Sequence, residues 1–130
     1  MCFVDANIIL RYLLEDDAVL SEKAAKILEQ QEVHAPFEVL AEVVYVMQGV
    51  YKVSRQTISD VLSRFLMMPN ISTINTSVAL EALRLYAEKG LDFVDSLLCG
   101  YARIDGVTVE TFDKKLIKCC AEKKLRHSPT

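Results

Sequence analysis

Four carboxylates stand where apolar segments give way to a turn or a helix, and their type and spacing point to metal chemistry. They are Asp5, Glu42, Asp95 and Asp113. Burying a charge without a partner costs several kcal/mol, and close carboxylates in a partly solvated site repel by roughly 1–4 kcal/mol per pair. A divalent cation would remove this repulsion. The hypothesis is therefore that the four side chains meet and bind such a cation.

Each of these acids also has a purely structural explanation. Asp5, Asp92 and Asp113 could cap the helices that follow them. Asp95 would then lie in a first helical turn, where the helix dipole favours a negative charge. Glu42 could belong to a solvated helix face, because another glutamate precedes it by one turn. Four independent explanations do not account well for the occurrence of all these acids in this order.

Short apolar runs alternate with longer helical patterns, which indicates an α/β class, a three-layer α/β/α sandwich with a mostly parallel central sheet. The predicted strands are Met1–Asp5, Val33–Ala35, Ile71–Ile74, Val107–Thr111 and an edge strand at Leu125–His127. The predicted helices are Asn7–Glu15, Ser21–Gln30, Phe37–Tyr51, a helix capped by Ser54, Thr76–Lys89, Asp92–Asp105 and one opened by Asp113. Ligands of such sheets bind outside the carboxyl ends of the strands. Asp5 and Asp113 each follow a predicted strand, so we expect both at that edge.

Size and composition set limits on the class of protein. The 130 residues predict a single domain over 1–130, and 52% hydrophobic residues predict a dense core or an apolar interface. The net charge of −3 gives no global electrostatic argument for nucleic-acid binding. No apolar run approaches the roughly 20 residues of a membrane span, and no signal peptide is recognisable. The four cysteines show no Cys-x-x-Cys spacing, so we expect reduced thiols and a cytoplasmic protein.

Four stretches of the chain resemble the acidic motifs of PIN domains. They are Asp-Ala-Asn-Ile-Ile-Leu-Arg-Tyr-Leu from residue 5, Ala-Glu-Val-Val-Tyr-Val-Met from residue 41, Asp-Phe-Val-Asp-Ser-Leu-Leu from residue 92 and Thr-Phe-Asp-Lys-Lys-Leu from residue 111. The resemblance covers nearly the whole chain and is closest to the small single-domain toxins of the VapC type. It implies that Asp5, Glu42, Asp95 and Asp113 are the catalytic, metal-binding residues.

The resemblance also implies accessory positions. Asn7 and Thr111 match polar residues that orient the carboxylates, and Asp92 matches an acidic position present in some members only. The chain departs from the pattern at Ala6, where many members carry Thr or Ser. We expect this loss of a hydroxyl to weaken the support of the carboxylates without abolishing metal binding.

Oxygen ligands without His or Cys suit Mg²⁺ or Mn²⁺. The expected reaction is phosphodiester hydrolysis by a water that the metal activates. The resemblance implies an endoribonuclease that acts on single-stranded RNA and leaves a 5′-phosphate and a 3′-hydroxyl. Asp5 and Asp95 are the expected principal ligands, and Glu42 and Asp113 complete the site. The candidates for guiding the RNA backbone are Arg11, which a salt bridge would also explain, and Lys52, Arg55 and Lys114.

Other functions stay open. Haloacid-dehalogenase-like phosphohydrolases also place an Asp after their first strand, but they need a second Asp where this chain has Asn7. The chain could also be a PIN-like interaction module with an idle site, or a housekeeping nuclease that processes RNA or DNA. A toxin would have a small antitoxin partner that offers an amphipathic helix and a basic side chain. Tyr45, Met47 and Tyr51 on one helix are compatible with a homodimer.

Overall fold

The computed structural model describes residues 1–122, which form seven α-helices and one three-stranded sheet. The strands are β1 (Cys2–Phe3), β2 (Val33–His34) and β3 (Ile71–Ser72). The helices are α1 (Ala6–Leu14), α2 (Ala18–Gln30), α3 (Phe37–Gly49), α4 (Arg55–Leu66), α5 (Thr76–Lys89), α6 (Phe93–Asp105) and α7 (Lys114–Ala121). The chain divides into two compact units, Met1–Thr76 and Ser77–Thr130. A single domain over 1–130 stays a prediction.

The sheet belongs to the first unit and is parallel throughout. Its strand order is β1-β2-β3, and Val33 of β2 lies opposite Cys2 on one side and Ile71 on the other. Helical connections between the strands are what parallel pairing requires. The predicted α/β class with a parallel sheet is confirmed.

Three helices of the first unit, α1, α2 and α4, begin at side-chain caps. Asp17 caps α2 by accepting a hydrogen bond of 3.0 Å from the backbone N–H of Leu20, which starts this helix earlier than the predicted Ser21. Ser54 caps α4 as predicted. Helix α1 packs against α2 and α3. The fully buried side chains of this unit include Ile9, Leu28, Val43 and Ile58.

The second unit contains α6 and α7, which pack against each other, and almost all of α5. Gly90 and Gly106 follow α5 and α6 with φ angles of 66° and 69°, so they end these helices in the left-handed region that glycine tolerates best. Gly100 of α6 lies so close to α5 that an added Cβ would stand 3.0 Å from the carbonyl oxygen of Val78. A small residue at this position therefore permits the contact between the two helices.

The predicted strand at Val107–Thr111 is wrong. These residues form no regular structure, and Val107 is 48% exposed. Their β-branched side chains indicated a strand, but strand propensity depends on burial and on a neighbouring strand to pair with. The sheet of the described residues contains only β1, β2 and β3. The predicted edge strand at Leu125–His127 lies outside the described residues.

The expectation of reduced cysteines is wrong for one pair. Cys99 of α6 and Cys119 of α7 form a disulfide, whereas Cys2 and Cys120 are free. The packing of the two helices brings the Cα atoms of the pair to 6.2 Å, which lies within the usual range for a disulfide.

None of the helices within residues 1–122 is both long and apolar enough to span a membrane.

Candidate functional site

Two of the predicted acids cap helices in the same way. Asp5 precedes α1, and its Oδ1 accepts a hydrogen bond of 3.1 Å from the backbone N–H of Ile8. Asp113 precedes α7, and its Oδ1 accepts a hydrogen bond of 2.9 Å from the backbone N–H of Leu116. The capping explanation is thus confirmed for both. It does not compete with metal binding, because a carboxylate has a second oxygen with free lone pairs.

Glu42 lies in the middle of α3 and is exposed. Its neighbours Ala41 and Val43 are buried, so the helix turns this carboxylate away from the core. The explanation as a solvated helix face is confirmed, and it leaves the carboxylate accessible to a ligand. Asn7, in the second position of α1, is exposed as well.

Asp95 of the second unit has two acidic neighbours that affect its pKa. Burial, together with the negative charges of Asp92 and Asp113, raises the pKa of Asp95 above its ordinary value. Asp92 stands at the N-cap position of α6, but its side chain makes no capping hydrogen bond. The backbone N–H and the hydroxyl of Ser96 instead donate to the backbone carbonyl of Asp92, at 2.8 and 3.0 Å. Asp95 therefore lies close enough to Asp92 and to Asp113 for both negative charges to act on it.

Thr111, predicted as an accessory residue, contacts the main chain of one predicted acid. Its hydroxyl oxygen accepts a hydrogen bond of 3.1 Å from the backbone N–H of Asp113. This bond fixes the backbone at the residue that starts α7. Thr111 thus orients Asp113 through the main chain.

The four predicted acids contrast with a carboxylate that the sequence reasoning missed. Glu81 of α5 is 3% exposed and forms ion pairs of 2.7 Å with Arg84 and 2.8 Å with Arg103. Burial alone would raise the pKa of Glu81, but the two arginines hold it below its ordinary value. The sequence shows only that Glu81 and Arg84 are three residues apart, a spacing that permits an ion pair on one helix. The pair with Arg103 depends on the packing of α6 near α5.

None of the four predicted acids has such a partner. Within residues 1–122, Asp5, Glu42, Asp95 and Asp113 take part in no ion pair. The protein thus neutralises the buried Glu81 with its own cations and leaves these carboxylates without one. Among them, Asp95 has acidic neighbours that disfavour its charged form, and a bound cation would relieve that repulsion.

The residues predicted to guide a substrate differ in their surroundings. Arg11 pairs with Asp16 at 2.8 Å and donates to the hydroxyl of Tyr51 at 2.9 Å, so the salt-bridge explanation is confirmed for it. Lys52 is exposed, with φ at 58°. Arg55 and Lys114 are the first residues of α4 and α7. A role of these residues toward RNA stays a prediction.

The donor chemistry of the second unit fits a hard divalent cation. Among residues 1–122 there is no group of three or more His, Cys, Asp or Glu side chains that could hold a metal ion. Mg²⁺, however, is usually bound through one or two carboxylates, several waters and substrate phosphates, and not by a cage of protein ligands. Asp95 and Asp113 offer two such carboxylates. That Asp5 and Glu42 of the first unit join them stays a prediction.

Parallel strands joined by helices define an α/β protein. The family model of the PIN domain matches residues 2–121, and the chain therefore belongs to the PIN domain family, whose members are generally nucleases. The match includes all four predicted acids. No curated protein and no solved structure matches the chain.

Proposed function

We propose that this protein is a Mg²⁺- or Mn²⁺-dependent endoribonuclease that hydrolyses single-stranded RNA, with Asp5, Glu42, Asp95 and Asp113 as the acids of its site. The observation that carries the proposal is the PIN domain match over residues 2–121, which spans these four positions. Asp5 and Glu42 belong to the first unit and Asp95 and Asp113 to the second. That they form one site is part of the proposal.

The charges of the described residues support a cation at Asp95. Its ionised form is disfavoured by burial and by Asp92 and Asp113, and it forms no ion pair within residues 1–122. A bound divalent cation would supply Lewis acidity for phosphodiester hydrolysis. The protein contributes carboxylate oxygens at helix starts, where capping hydrogen bonds restrict the side chain of Asp113 and Thr111 holds its backbone.

We further propose that the nuclease is the toxin of a toxin–antitoxin pair and forms a homodimer. Exposed apolar side chains support an interface of this kind. Val94 and Leu98, one turn apart on α6, are 43% and 39% exposed, and Tyr45 of α3 is 44% exposed. Met47, predicted on the same helix as Tyr45, is buried in the core. A neighbouring short reading frame that encodes a DNA-binding protein would favour the toxin over a housekeeping nuclease.

The first experiment compares two aspartates that do the same structural work. Asp5 caps α1 and Asp17 caps α2 through equivalent hydrogen bonds, and asparagine caps helices as well as aspartate does. Asp5→Asn should lower Mg²⁺- or Mn²⁺-dependent cleavage of single-stranded RNA by at least about 100-fold, because a ligand carboxylate is lost. Asp17→Asn should cleave like the wild type.

Three results would contradict the proposal. One is equal cleavage by wild type and Asp5→Asn, and another is cleavage that persists in chelator. The third is a folded wild type that cleaves no RNA with either metal, which would favour the idle interaction module. Single-stranded DNA of the same sequence, tested in parallel, distinguishes a ribonuclease from a DNA-processing enzyme.

A further inference from the structure

Helix α7 is held to α6 along one side of α6. Asp95, Cys99 and Arg103 are spaced i, i+4 and i+8 along that helix, so they share this side. Cys99 is bonded to Cys119 of α7, and Arg103 donates to the backbone carbonyl of Cys119 at 3.4 Å. The charge of Asp113, at the start of α7, acts on Asp95. The disulfide is therefore the covalent member of a set of contacts that runs along α7.

Helix α7 buries few of its own side chains. Its buried residues are Leu116 and Cys119, and isolated helices shorter than about 12–15 residues are marginal in water. Lys115 donates to the backbone carbonyl of Gly90 at 3.2 Å, but this bond is exposed and adds only modestly to stability. The disulfide therefore supplies a large part of the free energy that keeps α7 docked.

A cavity of about 220 Å³ in the second unit reaches one half of the disulfide. Cys119 is one of its lining residues, whereas Cys99 is 0% exposed. A single water needs about 10–15 Å³ of a cavity, so this cavity admits a molecule of several heavy atoms. The structure thus opens a path for a small reagent to Cys119 and leaves Cys99 enclosed.

The chemistry of the cavity wall selects the class of reagent. A disulfide reacts with thiolates, which attack one of its two sulfurs. A neighbouring cation favours the thiolate form of a thiol, and the exposed Lys118 lines the same cavity. A low-molecular-weight thiol is the reagent that fits both the size of the cavity and its wall.

We propose that the disulfide between Cys99 and Cys119 exchanges with low-molecular-weight thiols that enter through this cavity, and that its reduction releases α7 from α6. The thiolate attacks Sγ of Cys119, the bond between the two protein sulfurs breaks, and its electron pair leaves on Cys99, which takes up a proton. A second thiolate attacks the small-molecule sulfur of the mixed disulfide, and Cys119 leaves and is protonated. Two thiols are thus oxidised to one disulfide, and the protein disulfide is reduced to two thiols.

Release of α7 would change the surroundings of Asp113. Asp113 caps α7 through the backbone N–H of Leu116, so its place relative to Asp95 depends on the docking of this helix. The exchange would then control the position of one of the four proposed acids. This consequence rests on the proposed function, whereas the exchange itself does not.

The first measurement locates the attack. The full-length chain with Cys120→Ser, in its disulfide form, is mixed with reduced glutathione under native conditions, quenched in acid at short times and mapped by mass spectrometry. The glutathione adduct should lie on Cys119, and the rate should not rise in low concentrations of urea. An adduct on Cys99 would overturn the proposal. So would a rate that rises steeply with urea, because the disulfide would then react only from the unfolded chain.

The second measurement follows α7 by hydrogen exchange in the wild type, with and without dithiothreitol. A cross-link with a sequence separation of 20 residues changes the opening equilibrium by about 100-fold. Amides of α7 should therefore exchange up to about 100-fold faster after reduction, and those of α2, in the first unit, should change less. Equal protection of α7 in the two redox forms would overturn the proposal.

Two variants control for effects of dithiothreitol on the rest of the protein. Cys99→Ser/Cys119→Ser should exchange like the reduced wild type without any reductant. Cys120→Ser, which removes a free thiol, should exchange like the oxidised wild type. If the double variant does not fold, the comparison of the two redox forms of the wild type decides alone.

Cleavage of single-stranded RNA with Mg²⁺ separates this inference from the proposed function. Loss of cleavage on reduction, together with faster exchange in α7, supports both. If neither redox form cleaves but α7 loosens on reduction, the nuclease proposal fails and the exchange site stands. If the oxidised form cleaves and α7 keeps its protection after reduction, the nuclease proposal stands and the exchange site fails.

Discussion

At the scale of residues, structural and functional explanations of an acid can hold together. Asp17 and Asp5 use one carboxylate oxygen in the same way to start a helix, so capping alone does not distinguish them. Asp113 caps a helix in the same way, but unlike Asp17 its negative charge also acts on Asp95. In the sequence, capping and metal binding were alternative explanations. In the structure the cap uses one carboxylate oxygen, and the second oxygen keeps lone pairs that can bind a cation.

The buried Glu81 provides a prediction about stability. Glu81→Gln should destabilise the protein by about 3–5 kcal/mol at pH 7, because the buried Arg103 loses its partner at 2.8 Å and keeps only the more exposed Glu122 at 3.9 Å. The pKa of Glu81 is lowered in the folded state, so its stabilisation is present above the ordinary pKa of a glutamate and is lost as the pH falls through the folded value. Urea unfolding as a function of pH measures this.

Glu88→Gln is the matched control for that experiment. Glu88 pairs with the same Arg84 at 2.8 Å, but its side chain is 53% exposed, so solvent screens the pair and the expected loss is below about 1 kcal/mol. A difference between wild type and Glu81→Gln that does not shrink in acid would contradict the assignment to charge. So would equal losses in the two variants.

At the scale of elements, local patterns predicted the helices because their signals lie within each segment. The bounds of α5 are as predicted, and α6 ends at Asp105 as predicted, followed by Gly106 in the left-handed region. The predicted strand at Val107–Thr111 failed because a strand is defined by its partner, which local composition does not reveal. Strand β1 is shorter than predicted for the same reason, since its pairing ends at Phe3.

The candidate site, like the secondary structure, was predictable where the signal lies within one segment of the chain. Asp5, Asp95 and Asp113 were visible because each occupies a recognisable place at the start of a helix, whereas Glu42 lies in the middle of α3. The contact between Asp95 and Asp113 depends on how α6 and α7 pack, and so does the disulfide between Cys99 and Cys119. Cysteines 20 residues apart carry no local signal.

The disulfide yields a prediction about α6 and α7. It closes a loop with a sequence separation of 20 residues, and its reduction or the double change Cys99→Ser/Cys119→Ser should lower the free energy of unfolding by about 3 kcal/mol. Cys120→Ser, which removes a free thiol, should change it little. Alkylation of the unfolded, unreduced chain should label Cys2 and Cys120 only. Labelling of all four cysteines would contradict the pairing.

At the scale of the whole molecule, the charge balance requires that any attraction for RNA be local. The net charge is −3, so the protein as a whole gives no long-range attraction to a polyanion. A cation held by the proposed acids would supply this attraction locally. A divalent cation attracts a phosphate irrespective of the protein's overall charge.

Metal binding should therefore appear in the stability of the protein itself. A cation that binds the folded state alone stabilises it by about 2.7 kcal/mol at one hundred times its Kd, so Tm should rise by several degrees with Mn²⁺ and fall back in chelator. Asp95→Asn removes one expected ligand and should abolish most of this rise, whereas Asp17→Asn should keep it. Calorimetric scans at fixed pH and ionic strength measure the shift. Equal shifts in the two variants would mean that Mn²⁺ binds elsewhere, and the acids would then lose their assignment as its ligands.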